Sequence, residues 1–155
     1  MLRLTFMATV CVFGLMGAAS AAMVQFEADL TGKAEVPAKT GSGSGQALAT
    51  LDTATKMLRY TITFQALSGA ATAAHFHGPA AAGANAGVAV PIGGKDPVNP
   101  IIGSATLTDA QIADLEGGKW YVNVHTAANP SGEIRGQVMR AGMPMKDHGT
   151  MPMKH

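Results

Sequence analysis

Three histidines and a methionine-rich end carry the chemistry open to this sequence. His75 and His77 flank Phe76 in the run Ala74-His75-Phe76-His77-Gly78. On a strand, residues two apart point to one face, so these imidazoles stand roughly 7 Å apart along the chain. That spacing lets both converge on one ion through neutral ring nitrogens. His125 ends a second alternating run, Tyr121-Val122-Asn123-Val124-His125. If the two strands are adjacent, the three rings make a copper or zinc site; otherwise the His-x-His pair is solvated or hydrogen-bonded. Near the end of the chain Met143-Pro144-Met145-Lys146 recurs as Met151-Pro152-Met153-Lys154, with His148 and His155 after the respective copies. Thioethers are soft ligands, and closely spaced Met suits Cu(I), while the imidazoles suit Cu(II) as well. Proline between the methionines blocks helix and strand, so this tail is expected to be extended and unpacked. Its bland alternative is a Met-containing linker with no ligand.

Other chemistries find little support. Gly-x-Ser-x-Gly is absent, and the single cysteine, Cys11, falls in the leader described below, so no thiol nucleophile remains. The run Thr40-Gly41-Ser42-Gly43-Ser44-Gly45 lacks the Lys-Ser/Thr of a phosphate loop and reads as a mobile connection with no side chains to pack. Glu27, Asp29 and Glu35 have no base beside them in sequence. Glu133 and Arg135, two apart on one strand face, read as a solvated ion pair worth little. Asn129 precedes proline, which rules out glycosylation there.

The elements that must position these groups follow a leader. Arg3 precedes an uncharged apolar run, Leu4 to Met16, and small residues from Gly17 to Ala22 offer a cleavage site. Residues 1–22 therefore read as a secretory signal peptide, the apolar run being too short to span a bilayer. Arg3 is the only charge in it, so ten basic and ten acidic residues remain in a 133-residue mature chain. That balance, without any Lys/Arg cluster, argues against nucleic acid and against a polybasic membrane surface. The domain is expected over residues 23–140, and the flexible Met/His tail over 141–155.

Alternation marks strands at Val24–Thr31, Gln46–Leu51, Lys56–Leu67, Ala70–His77, Val88–Ile92 and Ile101–Leu107. Thr108 and Gln111 form a capping box for a helical turn reaching about Glu116, ended by Gly117-Gly118. Lys119 to Val138 is then a hairpin, turned at Asn129-Pro130-Ser131-Gly132, with His125 near its open end. The expected fold is all-β: an antiparallel Greek-key β-sandwich, or a barrel, with at most one short helical turn. Phe26, Phe64, Phe76 and Trp120 are the large core fillers.

Three segments together resemble the CHRD domain, the module named after chordin: Phe26 to Pro37 (FEADLTGKAEVP), Ala74 to Ala80 (AHFHGPA) and Asn123 to Val138 (NVHTAANPSGEIRGQV). The resemblance covers about residues 24–139 and leaves the tail outside. It implies an exported, immunoglobulin-like or related β-sandwich, and the motif histidines fall on His75, His77 and His125. A looser similarity is to copper/zinc superoxide dismutase, although that family's disulfide and zinc loop are missing. The combined expectation is a periplasmic or secreted, non-enzymatic protein with no membrane span in its mature chain. It binds copper through His75, His77 and His125 and through Met143, Met145, His148, Met151, Met153 and His155. Its partners are the metal ion and another periplasmic or surface protein. The alternatives are a metal-free structural or adhesion module and a copper-dependent dismutase-like enzyme.

Overall fold

Period-2 alternation decides which side chains enter the core. The computed structural model describes residues 22–142. Residues 1–21 of the expected leader and all six tail ligands, Met143, Met145, His148, Met151, Met153 and His155, lie outside the described residues. Among the described residues nine strands follow one another: β1 (Met23–Thr31), β2 (Ser44–Asp52), β3 (Met57–Gln65), β4 (Ala71–His77), β5 (Val88–Ile92), β6 (Ile101–Thr106), β7 (Tyr121–Thr126), β8 (Ile134–Gln137) and β9 (Met139–Arg140). Helix α1 (Asp109–Glu116) joins β6 to β7, and a 3-10 turn at Gly32–Ala34 follows β1.

All pairings are antiparallel. The strand order is β5-β4-β7-β8-β1-β2-β3-β6, with β9 also beside β1. The antiparallel all-β expectation holds. Hydrogen bonding links every strand into one nearly closed, barrel-like sheet, whose edge strands β5 and β6 come into contact. Every second residue points inward: Val24, Phe26, Ala28 and Leu30 from β1, Leu58, Tyr60 and Ile62 from β3, Val122 and Val124 from β7. Phe76 sits among them, edge-on to Tyr60 at 5.4 Å and tilted against Trp120 at 5.8 Å.

The expected capping box is present: Gln111 N–H donates to Thr108 Oγ1 (3.2 Å) and Thr108 N–H to Gln111 Oε1 (2.9 Å). The helix runs for eight residues, a little over two turns, and buries Leu115. The Gly-rich run corrects the sequence reading. Ser44 and Gly45 belong to β2, and a Cβ at Gly45 would overlap the Thr63 carbonyl oxygen. Gly43 is packed less tightly but still against the core, its would-be Cβ 3.0 Å from Ile134 Cγ2 and 3.1 Å from Leu67 Cδ2. These glycines are small because other groups pack against them, a demand a linker does not make.

The same demand is strongest at Gly136, where β8 lies against β1. A Cβ there would overlap the Asp29 carbonyl oxygen and stand 2.8 Å from Leu30 Cδ2. Backbone on one side and core on the other leave no direction in which to relax. Gly136→Ala is therefore expected to destabilise the fold by about 1–3 kcal/mol, the usual range for overpacking, as read by equilibrium urea unfolding.

Candidate functional site

β4 and β7 are neighbours, which is what a three-histidine site requires. In their register Ala73 lies opposite His125, His75 opposite Asn123 and His77 opposite Tyr121. Alternation then places His75, His77, Tyr121, Asn123 and His125 on the face turned away from Phe76, Val122 and Val124. One ring nitrogen from each of His75, His77 and His125 lies within 4.8 Å of the others. Ring centres are 4.9 Å apart for His75–His125, 5.4 Å for His75–His77 and 6.4 Å for His77–His125.

Two of the rings are aimed by backbone carbonyls. A carbonyl oxygen can only accept, so each bonded Nδ1 must carry a proton. His77 Nδ1–H donates to Ala86 O at 3.0 Å, and His125 Nδ1–H donates to Pro130 O at 3.0 Å. In the neutral rings the lone pair therefore sits on Nε2, the nitrogen free to bind a metal. His77 Nε2 is buried and has no hydrogen-bond partner among the described residues. His125 Nε2 lies 2.9 Å from His75 Nδ1 and accepts its proton. Two nitrogens bound to one ion at about 2.05 Å and at right angles would be about 2.9 Å apart, so this pair is already at ligand spacing. His125 lies at the turn end of the hairpin, not the open end, because Pro130 is the residue that orients it.

Burial, then the neighbouring rings of His125 and His77, holds His75 below the ordinary imidazole value. Burial also lowers His125; the bond to Pro130 opposes this and His77 adds to it. These two rings resist protonation and so offer lone pairs at neutral pH, and a set of three imidazole nitrogens suits copper or zinc better than calcium or magnesium.

The hairpin's outward face is not solvated. Every residue of β7 is buried; Ala86 bonds the Tyr121 hydroxyl, and the Glu35 and Asn123 side chains meet beside Gly132. Tyr121 stacks flat on His77, with ring centres 4.8 Å apart and planes at 2°. The Arg135 guanidinium carbon stands 3.4 Å from the centre of the same Tyr121 ring. Arg135, only 2% exposed, donates to Asn85 Oδ1 (2.8 Å) and Ala84 O (2.6 Å).

The expected solvated Glu133–Arg135 pair is thus corrected. Both residues are buried, and each is satisfied by other partners. Glu133 accepts from Ser68 N–H (2.6 Å), Thr126 Oγ1–H (2.6 Å), Asn129 Nδ2–H (3.1 Å) and the Ser68 hydroxyl. Glu35 is also buried, 6% exposed, within the electrostatic reach of Arg135. Sequence reasoning missed Glu35, Asn85, Tyr121, Asn123 and Arg135 as one layer. The available signal was the fully polar outward face of the hairpin, Tyr121-Asn123-His125 beside Glu133-Arg135-Gln137, opposite a loop of small residues that could fit closely over it.

Burial pushes the Glu35 carboxyl up to about 7, against the opposing pull of Arg135. Below about pH 4.5 the acid is protonated both folded and unfolded, and it contributes nothing. Between 4.5 and 7 the unfolded chain ionises first, so the folded state loses stability, and above 7 the loss is complete. Glu35→Gln removes this penalty. The variant is expected to match the parent at pH 4.5 and to exceed it by about 3 kcal/mol at pH 8, measured by urea unfolding of both proteins at each pH.

The chain matches the CHRD domain family over residues 26–138 and belongs to that family. All three histidines fall inside the matched span. No curated protein and no solved structure matches the chain.

Proposed function

We propose that this CHRD-domain chain is an exported, non-enzymatic copper-binding protein. His75, His77 and His125 are its folded ligands, and Met143, Met145, His148, Met151, Met153 and His155 form a soft-metal tail. The observation that carries the reading is the oriented trio: three ring nitrogens within 4.8 Å, with His77 Nε2 buried and unpartnered among the described residues. A buried acceptor left without a donor is costly unless something else occupies it, and a metal ion does so. The tail composition selects copper over zinc, since thioethers prefer the softer ion.

The charged n-region, apolar run and small-residue cleavage site of residues 1–22 support export. Among the described residues no helix is long and apolar enough to cross a membrane. The role is metal sequestration or delivery in the periplasm, with a second periplasmic or surface protein as donor or acceptor. Copper titration of the mature chain tests it, and binding no tighter than micromolar, about −8 kcal/mol, rejects it.

One observation favours a metal-free interaction module: His75 and His125 satisfy each other at 2.9 Å without an ion. That reading leaves His77 Nε2 unexplained. It expects His75→Ala and His125→Ala to retain both stability and function.

A further inference from the structure

Tyr121 is sandwiched between a candidate ligand and a buried cation. β7 runs between β4, which carries His77, and β8, which carries Arg135. Steps of 4.8 Å and 3.4 Å through the Tyr121 ring put the guanidinium carbon within about 8 Å of the His77 ring centre. The same cation holds the loop that aims His77. Arg135 bonds Ala84 O and the Asn85 side chain, and the next residue, Ala86, takes the His77 Nδ1 proton. Ala86 also exchanges bonds with Tyr121: its N–H donates to the phenol oxygen (3.1 Å), and the phenol O–H donates to Ala86 O (3.2 Å).

We propose that Arg135, through Tyr121 and residues 84–86, is a positioning residue for His77 and biases copper at the three-histidine site toward Cu(I). The inference rests on that copper reading. A fixed positive charge opposes the higher charge of Cu(II) more than that of Cu(I), and burial keeps solvent from screening it. At roughly 8–10 Å with an effective dielectric constant near 20, one charge shifts the balance by about twentyfold. The acid facing Arg135 is Glu35, whose carboxyl burial raises to about 7, so below neutral pH it cancels little of that charge.

The test uses the mature chain with the tail Met and His residues replaced by Leu and Asn, so that copper reports on the folded site. Cu(I) and Cu(II) affinities are measured separately. Arg135→Met is expected to lower the Cu(I)/Cu(II) affinity ratio about twentyfold, a fall of about 77 mV for a one-electron couple. Arg135→Lys, which keeps the charge, should hold the ratio within about threefold. Asn85→Asp sets a carboxylate against the guanidinium without deleting it, so it decides the matter if Arg135→Met fails to fold. It should shift the ratio in the same direction. A ratio unchanged in a folded Arg135→Met or Asn85→Asp protein overturns the inference and leaves the site standing. A parent protein that binds no copper overturns the three-histidine reading, and this inference with it.

Discussion

Copper affinity at the folded site is expected to fall at least about a hundredfold when His125 becomes Asn. Divided among the ligands of a well-formed site, metal binding is worth about 3 kcal/mol per ligand, and 1.4 kcal/mol is a factor of ten. His125 is the most demanding of the three to replace. It is the most buried, its Nδ1 proton is fixed on Pro130, and its Nε2 already stands 2.9 Å from His75 Nδ1. Asn keeps a polar group but cannot carry a donor atom as far into the site. The fold should tolerate the change with modest loss, since Asn keeps a polar side chain at this buried position and the inward-facing Val122 and Val124 are untouched. Calorimetric copper titration of folded variant and parent reads the difference directly. A metal-free module predicts no difference.

The largest stability loss is expected at Glu133. Its carboxylate gathers donors from Ser68 in the β3–β4 connection, from Thr126 at the end of β7 and from Asn129 in the hairpin turn, so one side chain ties two loops together. Glu133→Ala leaves the buried Thr126 hydroxyl without its acceptor and unties Ser68 and Asn129, which lie nearer the surface. A cost of about 3 kcal/mol follows from losing several bonds to a charged acceptor, a large part of the 5–15 kcal/mol that holds a typical domain folded. Burial alone would raise this carboxyl, but the bonds from Ser68, Thr126 and Asn129 outweigh it and hold it below the ordinary range.

A carboxyl held low stabilises the fold above its unfolded value, and that contribution disappears as pH falls through the folded one. The parent should therefore lose stability in acid more steeply than Glu133→Ala, and urea unfolding at pH 7 and pH 3 compares the two. Because the turn also carries Pro130, the variant should bind copper more weakly even where it stays folded.

These two residues show what the sequence could and could not convey. His125 was legible: it sits in a clean alternation, and two residues of separation put His75 and His77 on one strand face. Adjacency of β4 and β7 was not legible, because strand order depends on long-range pairing that no local pattern encodes. Glu133 was misread because a charged pair two apart on a hairpin ordinarily faces water. Here Ala84, Asn85 and Ala86 bond to that face, and only the fold brings them and Ser68 within reach of it. The same gap explains the Gly-rich run. Glycines packed beneath Ile134 and glycines in a linker are alike in sequence and differ only in what lies across from them. The hairpin turn and the capping box were readable because each closes within four residues, by Gly132 N–H to Asn129 O at 3.1 Å and by the Thr108–Gln111 exchange.

One titration tests the central claim most directly. The mature chain with its tail Met and His residues replaced is titrated with copper, beside the same chain also carrying His75→Asn, His77→Asn and His125→Asn. The account predicts one copper per chain bound tighter than micromolar in the first protein, and no such binding in the second, with both folded. Equal binding by the two proteins, or none by the first, would contradict it.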